Sequence, residues 1–265
     1  MTTVRKITYL SAPAEVSMAD RWYEIASTDH FWIRRRFKVL QLLAGGLISG
    51  ARAIAEIGCG SGLVQRQIED AYGKEVAGFD LNEAALKINV SCLSSVHCYD
   101  IFQKHATLRE QFDIIFLFDV LEHIADERGF LEALLYHLAP DGYLVLNVPA
   151  GEWAYSKYDQ AAGHVRRYSI RTLRVAIQPT DLRIRNWTYW GLPLVPTLLL
   201  RKLWLMGRQG KDEIICAGFD SGSKFINRLM GLLAGCEIIP QKFIGTSLMA
   251  VLQNGSPGKR NLPSN

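Results

Sequence analysis

The chain has 265 residues, of which 49% are hydrophobic, 10% aromatic and 21% charged, with a formal net charge of +4 at pH 7. That balance excludes a globally disordered chain and suits one large domain, or one domain with a cap. Five cysteines, at 59, 92, 98, 216 and 236, are odd in number and lack C-x-x-C spacing, which suits a reducing compartment better than a disulfide framework or a zinc site. No charged start followed by a long apolar run opens the sequence, so no signal peptide is expected. Charge is uneven: residues 1–150 hold 14 Lys/Arg against 19 Asp/Glu, and residues 151–265 hold 16 against 7. The basic second half can meet an anionic substrate, a phosphate-bearing lipid head group or an acidic surface, or can simply be a solvated face.

Residues 1–17 show no period and read as a loose arm. From Met18 to Leu47 the pattern is helical, with Trp22, Ile25 and Ala26 on one face and Phe37, Leu40, Leu43 and Ala44 on another. Between them runs His30-Phe31-Trp32-Ile33-Arg34-Arg35-Arg36, which needs a wet and a dry side. It reads either as an amphipathic helix on the core or as a lid. Gly45-Gly46 and Gly50 are expected to end this helix. Ala53 to Ile57 is then a short buried strand, and it breaks into E-I-G-C-G-S-G, with glycines at 58, 60 and 62. Glycines there let the backbone take positive φ and let a ligand lie against it, and the following helix offers free N–H groups.

Dinucleotide enzymes space these glycines G-x-G-x-x-G. Here they run G-x-G-x-G, Leu63 stands at the third position, and Glu56 precedes the first glycine by two. This form resembles the first motif of class I S-adenosylmethionine-dependent methyltransferases. Many bacterial members also begin with an aromatic-then-arginine stretch, and Arg36 matches its arginine.

Gly62 to Ala71 is the first crossover helix and Glu75 to Phe79 the second strand, ended by Asp80. A carboxylate there suits two ribose hydroxyls, or the cap of a helix over Asn82 to Val90. Val96 to Tyr99 is a third strand, followed by Asp100-Ile101. The resemblance implies an adenine contact through the Asp100 carboxylate and the Ile101 backbone. Phe112 to Phe118, F-D-I-I-F-L-F, is the strongest strand and belongs in the middle of a parallel sheet. Its continuation Asp119-Val120-Leu121-Glu122-His123-Ile124 resembles the family's fourth-strand motif. Asp119 would point into the crevice, and Glu122 and His123 would cap or brace the next helix. Enzymes that methylate nucleic-acid amino groups carry an Asn/Asp-Pro-Pro-aromatic motif here and this chain does not, so no nucleic-acid partner is expected. Nor does the sequence show clustered carboxylates for a divalent metal of the catechol-methylating type. Glu127 to Leu138 is a helix stopped by Pro140-Asp141-Gly142, and Tyr143 to Val148 is the fifth strand.

Trp153 to Tyr168 breaks the alternation. Its D-x-x-x-G-H-x-R-R-Y resembles a bacterial subgroup of small-molecule, sugar- or lipid-type methyltransferases. Asp159 and His164 are the candidates to deprotonate or orient a nucleophile. Tyr155, Arg166, Arg167 and Tyr168 are the candidates to hold an anionic acceptor; the alternative is that His164 and Tyr168 hold the loop. Ser169 caps a helix to Ile177, and Leu182 to Trp190 alternates as a strand. Leu192 to Met206 is too short and too interrupted to span a bilayer, so it reads as a cap helix or as an interfacial one. Gly207 to Gly222 is polar. Lys224 to Cys236 is an amphipathic helix, and Phe243 to Leu252 is the final strand.

The resemblance implies an α/β fold: a doubly wound, seven-stranded, mostly parallel sheet with its last strand antiparallel. It would carry a helical lid or arm over residues 1–50, a cofactor core over 51–150, a substrate side with a helical cap over 151–252, and a disordered tail over 253–265. The implied cofactor is S-adenosylmethionine, its methyl passing to an O, N or C nucleophile of a small-molecule acceptor. Gly58, Cys59, Gly60 and Gly62 would border its methionine part, with Glu56 and Arg36 close by. Asp80 and Leu81 would meet the ribose, Asp100 and Ile101 the adenine, and Asp119 the methionine amine or the acceptor. A silent S-adenosylmethionine-binding protein and a nucleotide-dependent oxidoreductase stand as alternatives. A cytoplasmic protein with peripheral membrane contact is expected.

Overall fold

The structure is a computed structural model that describes residues 6–16, 26–208, 210, 213–215 and 223–255. Trp22 and Ile25 of the expected first helix, most of the 207–222 segment and the tail beyond 255 lie outside the described residues. One sheet holds eight strands: β1 (Ile7–Tyr9), β2 (Ile54–Ile57), β3 (Ala77–Asp80), β4 (Val96–Cys98), β5 (Phe112–Phe118), β6 (Leu138–Pro149), β7 (Leu182–Trp190) and β8 (Ser247–Asn254). Their spatial order is β1-β4-β3-β2-β5-β6-β8-β7. All pairs from β1 to β6 are parallel, and β8 runs antiparallel to both of its neighbours.

Helices cover both faces, as parallel strands joined by crossovers require. Along β5, Ile115 and Leu117 face one core, which α4 (Glu127–His137) and α6 (Ile170–Ile177) close with Phe130, Leu131, Leu134, Leu173 and Ile177. Ile114, Phe116 and Phe118 face the other, closed by α1 (Phe31–Gly50) and α2 (Leu63–Tyr72) through Val39, Leu40, Ala44, Ile48, Val64 and Ile68. The period of two along this strand thus feeds two separate cores, which is why every second position had to be apolar on both counts.

The helix expected from Met18 is described only from Phe31, with His30 as its N-cap, and that over residues 82–90 is Glu83–Lys87; four further differences each have a local reason. The N-terminal arm contains β1, an edge strand only three residues long that pairs with β4, too short to leave a period. It raises the strand total from seven to eight. Helix α1 runs straight through Gly45-Gly46 to Gly50 because Val39, Leu40, Ala44 and Ile48 bury one face of it; that burial outweighs the ~1 kcal/mol propensity cost of each glycine. The Pro140-Asp141-Gly142 turn is a bulge inside β6, where the register against β5 slips between Phe112 and Ile114. Strand β8 begins at Ser247 rather than Phe243, which is 86% exposed. Just before it the chain crosses Trp190 so closely that a Cβ on Gly245 would lie 2.3 Å from the Trp190 carbonyl oxygen. Ser156 and Ser169 both cap as capping boxes, opening α5 (Lys157–Ala162) and α6.

Candidate active site

The carboxyl ends of β2, β3, β4 and β5 open on a cavity of about 550 Å3. Open α/β sheets bind ligands there, and this volume lies within the usual range for a small-molecule site. The glycine bend forms its floor. Gly58, Gly60 and Gly62 take φ of +75°, +51° and +76°. A Cβ on Gly58 would sit 2.3 Å from the Val120 side chain, so the bend can hold only glycine at the point where it passes the tip of β5. The Gly60 N–H donates to the Asp80 carboxylate at 2.7 Å and the Asn82 N–H donates to its other oxygen at 2.8 Å, which fixes that carboxylate on the rim of β3. Asp100 likewise accepts from the Phe102 N–H at 3.0 Å. Of the residues expected to meet a cofactor, Arg36, Glu56, Gly58, Cys59, Gly60, Asp80, Leu81, Asp100, Ile101 and Asp119 all line this one cavity. Gly62 does not; it is the left-handed N-cap of α2.

The rim at β5 is tied to the N-terminal helix. Arg36 of α1 is buried, hydrogen-bonds the Asp119 carboxylate, and lies over the Trp32 and Phe118 rings at 4.9 and 5.2 Å. Asp119 sits at φ +57°, a conformation that costs a non-glycine residue about 1–3 kcal/mol. It is held there by Arg36 and by Asn147 of β6, whose amide donates at 2.8 Å while its oxygen accepts from the Trp190 indole at 2.8 Å. Glu56 lies beneath, 3% exposed, with its Oε2 lacking a hydrogen-bond partner among the described residues. Burial pushes its carboxyl up to about 8, against the pull of Arg36 and with the push of Asp80 and Asp119.

A second polar group packs beside the cavity. Asp159 of α5 is fully buried and accepts from His164 Nδ1 at 2.9 Å, Arg167 Nε at 2.8 Å and the Ser156 N–H at 2.9 Å. Burial opposes its charge, but His164 and Arg167 outweigh that and hold the carboxyl at about 2. A carboxylate so held orients its neighbour and does not take a proton near neutral pH. Tyr155 donates to the His164 backbone carbonyl at 2.8 Å, fixing the same loop. His123, in the single turn Leu121–His123 after β5, sets its ring 4.8 Å from that of His164 and lines the cavity. Burial, then the charge of His164, lowers it to about 4, so it is neutral at pH 7.

The four residues expected to hold an acceptor are engaged within the chain. Arg167 is 5% exposed and is spent on Asp159 and the Ala150 carbonyl. Arg166 pairs with Glu127 at 2.5 Å and donates to the Ala125 carbonyl. Tyr168 is 1% exposed and donates to Glu127. Arg166 and Tyr168 thus tie this loop to α4 through Glu127, while Arg167 ties it to α5 through Asp159. Two residues that the sequence reading passed over hold the site's frame: Glu127 ties down Arg166 and Tyr168, and Asn147 ties Asp119 to Trp190. Their only linear signal is position, Glu127 in the first turn of a helix and Asn147 as the one polar side chain in the apolar run 144–148.

A mostly parallel sheet with a glycine bend, an acidic strand tip and a cavity between them defines the class I S-adenosylmethionine-dependent methyltransferase fold. A family model described as "Methyltransferase domain" matches residues 29–187. The chain belongs to that family, and S-adenosylmethionine is the methyl donor of its class. Among curated relatives it is 28% identical over 137 residues to a ubiquinone biosynthesis O-methyltransferase of Bordetella avium, covering 48% of this chain and 56% of that protein. It is 29% identical over 150 residues to the one from Aromatoleum aromaticum, covering 49% and 59%. The match thus spans little more than half the length of either relative. Among solved structures, N-methyltransferase NodS of Bradyrhizobium japonicum, in complex with S-adenosyl-L-homocysteine, aligns with a TM-score of 0.53 at 17% identity over 91% of this chain and 99% of that one. A SAM-dependent methyltransferase of Archaeoglobus fulgidus aligns at 0.51, with 16% identity over 83% and 94%. These two bear on the fold alone. The oxidoreductase alternative is not favoured.

The donor fits the residues present. The glycine cradle leaves no room for a Cβ at Gly58, two rim carboxylates are fixed by backbone donors, and among the described residues a buried glutamate oxygen has no hydrogen-bond partner beside the expected position of a cation.

Proposed function

We propose that this protein transfers the methyl group of S-adenosylmethionine to a hydroxyl oxygen of a small, largely apolar acceptor. The observation that carries this is the single cavity gathering the expected donor residues beside His164 and His123. Bound there, the donor supplies a sulfonium methyl open to in-line attack. The chain's part is to bind, orient and exclude water. Asp80 accepts from the two ribose hydroxyls, Asp100 and the Ile101 backbone hold the adenine, and the bend at Gly58, Cys59 and Gly60 borders the methionine part. Asp119 and Glu56 offer the negative side that a donor with two positive centres needs. His164, oriented by Asp159, activates the acceptor hydroxyl. The names of the curated relatives, O-methyltransferases of ubiquinone biosynthesis, support oxygen as the nucleophile.

The test of the donor site is calorimetry with S-adenosylhomocysteine. Asp80→Ala is expected to weaken binding about 10–100-fold, the value of one or two charge-assisted hydrogen bonds, with NAD showing no binding to either protein. Equal affinity in the two proteins would overturn the ribose role. Methyl transfer to a hydroxylated aromatic carrying a short apolar tail separates an enzyme from a silent binder.

The cap supports contact with a lipid surface. Helix α7 (Val195–Leu205) exposes Leu199, Leu200, Leu203 and Trp204, and α8 (Lys224–Gly235) exposes Phe225, Ile226, Leu229 and Leu232. Neither helix contains an acidic residue, and Lys224 and Arg228 are exposed on α8. An apolar face flanked by cations is the signature of an interfacial element, and among the described residues no helix is long and apolar enough to cross a membrane. Wild-type protein is expected to sediment with vesicles containing anionic lipid, and Leu200→Glu/Leu203→Glu to stay in the supernatant. Sedimentation of neither protein would remove the membrane from this proposal.

A further inference from the structure

We propose that Glu122, His123 and His164 form a binding site for one divalent cation of the zinc class at the edge of the donor cavity. Each of the three offers one ligand atom, and these atoms lie within 4.8 Å of one another. Glu122 and His123 come from the turn after β5, and His164 from the loop after α5, so the cluster exists only in the folded chain. The sequence gives no sign of it.

Glu122 is the unusual member. It is 1% exposed, and among the described residues no other residue's hydrogen bond reaches either carboxylate oxygen. A buried carboxylate left so is costly unless it carries a proton or a cation compensates it, and with two imidazoles beside it a cation can displace that proton. The nearby guanidinium of Arg167 is already committed to Asp159. Both imidazoles are also held from behind. His164 donates through Nδ1 to Asp159, leaving Nε2 to point forward, and His123 is hydrogen-bonded to the Gly163 backbone. Carboxylate or carbonyl support on the far ring nitrogen is the usual arrangement behind a metal-bound histidine. Two nitrogens and one carboxylate suit zinc and its first-row neighbours, and disfavour magnesium, which prefers oxygen donors. Donors around such an ion stand about 3–3.5 Å apart, so binding would draw the three slightly together.

Three protein ligands leave a position open, and His123 lines the cavity, so that position faces the place where the acceptor must reach the methyl group. The role of the ion rests on the O-methylation reading; its binding does not. With its Nε2 on the ion, His164 would activate the acceptor through the ion and not as a base: an acceptor hydroxyl oxygen on the ion would lose its proton to solvent more readily. Its lone pair would then form the bond to the methyl carbon as the carbon–sulfur pair returns to sulfur.

The experiment titrates chelator-stripped full-length protein with Co2+, followed by its visible absorption, with Zn2+ and Mg2+ as competitors. Expected are saturation at one Co2+ per chain, displacement by Zn2+ and none by Mg2+. Glu122→Gln and His164→Ala should each weaken Co2+ binding at least about tenfold while still binding S-adenosylhomocysteine, which shows them folded. No Co2+ spectrum in the wild-type protein, or an unchanged one in both variants, would overturn the site. Should Glu122→Gln fail to bind S-adenosylhomocysteine, His164→Ala, altered at a loop side chain, decides. Co2+ bound without methyl transfer to any hydroxylated aromatic would defeat the acceptor reading and leave the site standing.

Discussion

Asp159→Ala should lower the unfolding free energy by about 3–5 kcal/mol, the cost of leaving one partner of a buried ion pair alone. In a chain of this size that corresponds to a fall in Tm of roughly 10 °C. The reason is the environment of the carboxylate. It is fully buried, and it receives Arg167, His164 and the N-cap serine of α5 together. Removing it strands a guanidinium that is 5% exposed and, among the described residues, keeps only the Ala150 carbonyl. Methyl transfer should fall beyond what stability explains, because His164 loses the bond that sets its ring. The decisive measurement is a double-mutant cycle with Arg167→Met. The double variant should be more stable than Asp159→Ala alone, since the orphaned charge has gone too. A coupling energy near zero would show that the pair is not a unit.

Glu56→Gln should make the protein more stable in alkali and leave it nearly unchanged in mild acid. The Glu56 carboxyl stands at about 8 in the fold, against 4.5 for an ordinary glutamate. Groups facing it are Arg36 from α1, Asp80 from β3 and Asp119 from β5, with burial the dominant cause. A carboxyl raised in the fold binds its proton more tightly there than in the unfolded chain. Its contribution is therefore fully present below about pH 4.5 and lost as pH rises through about 8. At about 1.4 kcal/mol per pKa unit, the loss across that window is of order 3–5 kcal/mol. Glutamine keeps the shape and cannot ionise, so its stability should be flat over the same range. Denaturant midpoints at pH 5 and pH 9 test this, and parallel pH dependence in both proteins would refute it. The donor is a cation, and its arrival should pull the proton off Glu56. Calorimetry at pH 7 in buffers of different ionisation enthalpy should register proton release in the wild type and less in the variant.

Much of the donor side was legible because its signals are local. The E-I-G-C-G-S-G bend, the acid at a strand end and the continuous F-D-I-I-F-L-F run each declare a backbone conformation or a two-faced burial within a few residues. The acceptor side was legible only as a departure. D-Q-A-A-G-H-V-R-R-Y announced a loop dense in titratable groups, but whether Arg167 faces out or in depends on Asp159 being buried, and that depends on how α5 packs. The same holds for Glu122 and His123. In the sequence they read as a helix brace, since His164 stands some forty residues away and only the return of the chain over β6 brings it near. Short edge elements such as β1 leave no period at all, because pairing with a neighbour, not their own pattern, makes them strands.

The edge strand has a bearing on traffic through the donor cavity. After β1 the chain does not leave the sheet: the Leu10 N–H donates to Cys98, Ser11 accepts from the Asp100 N–H, and the Ala14 N–H donates to Leu81, so that Glu15 and Val16 reach the cavity wall. The first and third of these bonds, with the three paired residues of β1, act as stitches along a hem. The seam therefore closes one side of the donor cavity with hydrogen bonds to the backbone of Cys98, Asp100 and Leu81, at the strand ends that open on it. The outermost strand of the sheet is in this way the anchor of a stretch of the cavity's wall as well as the sheet's edge.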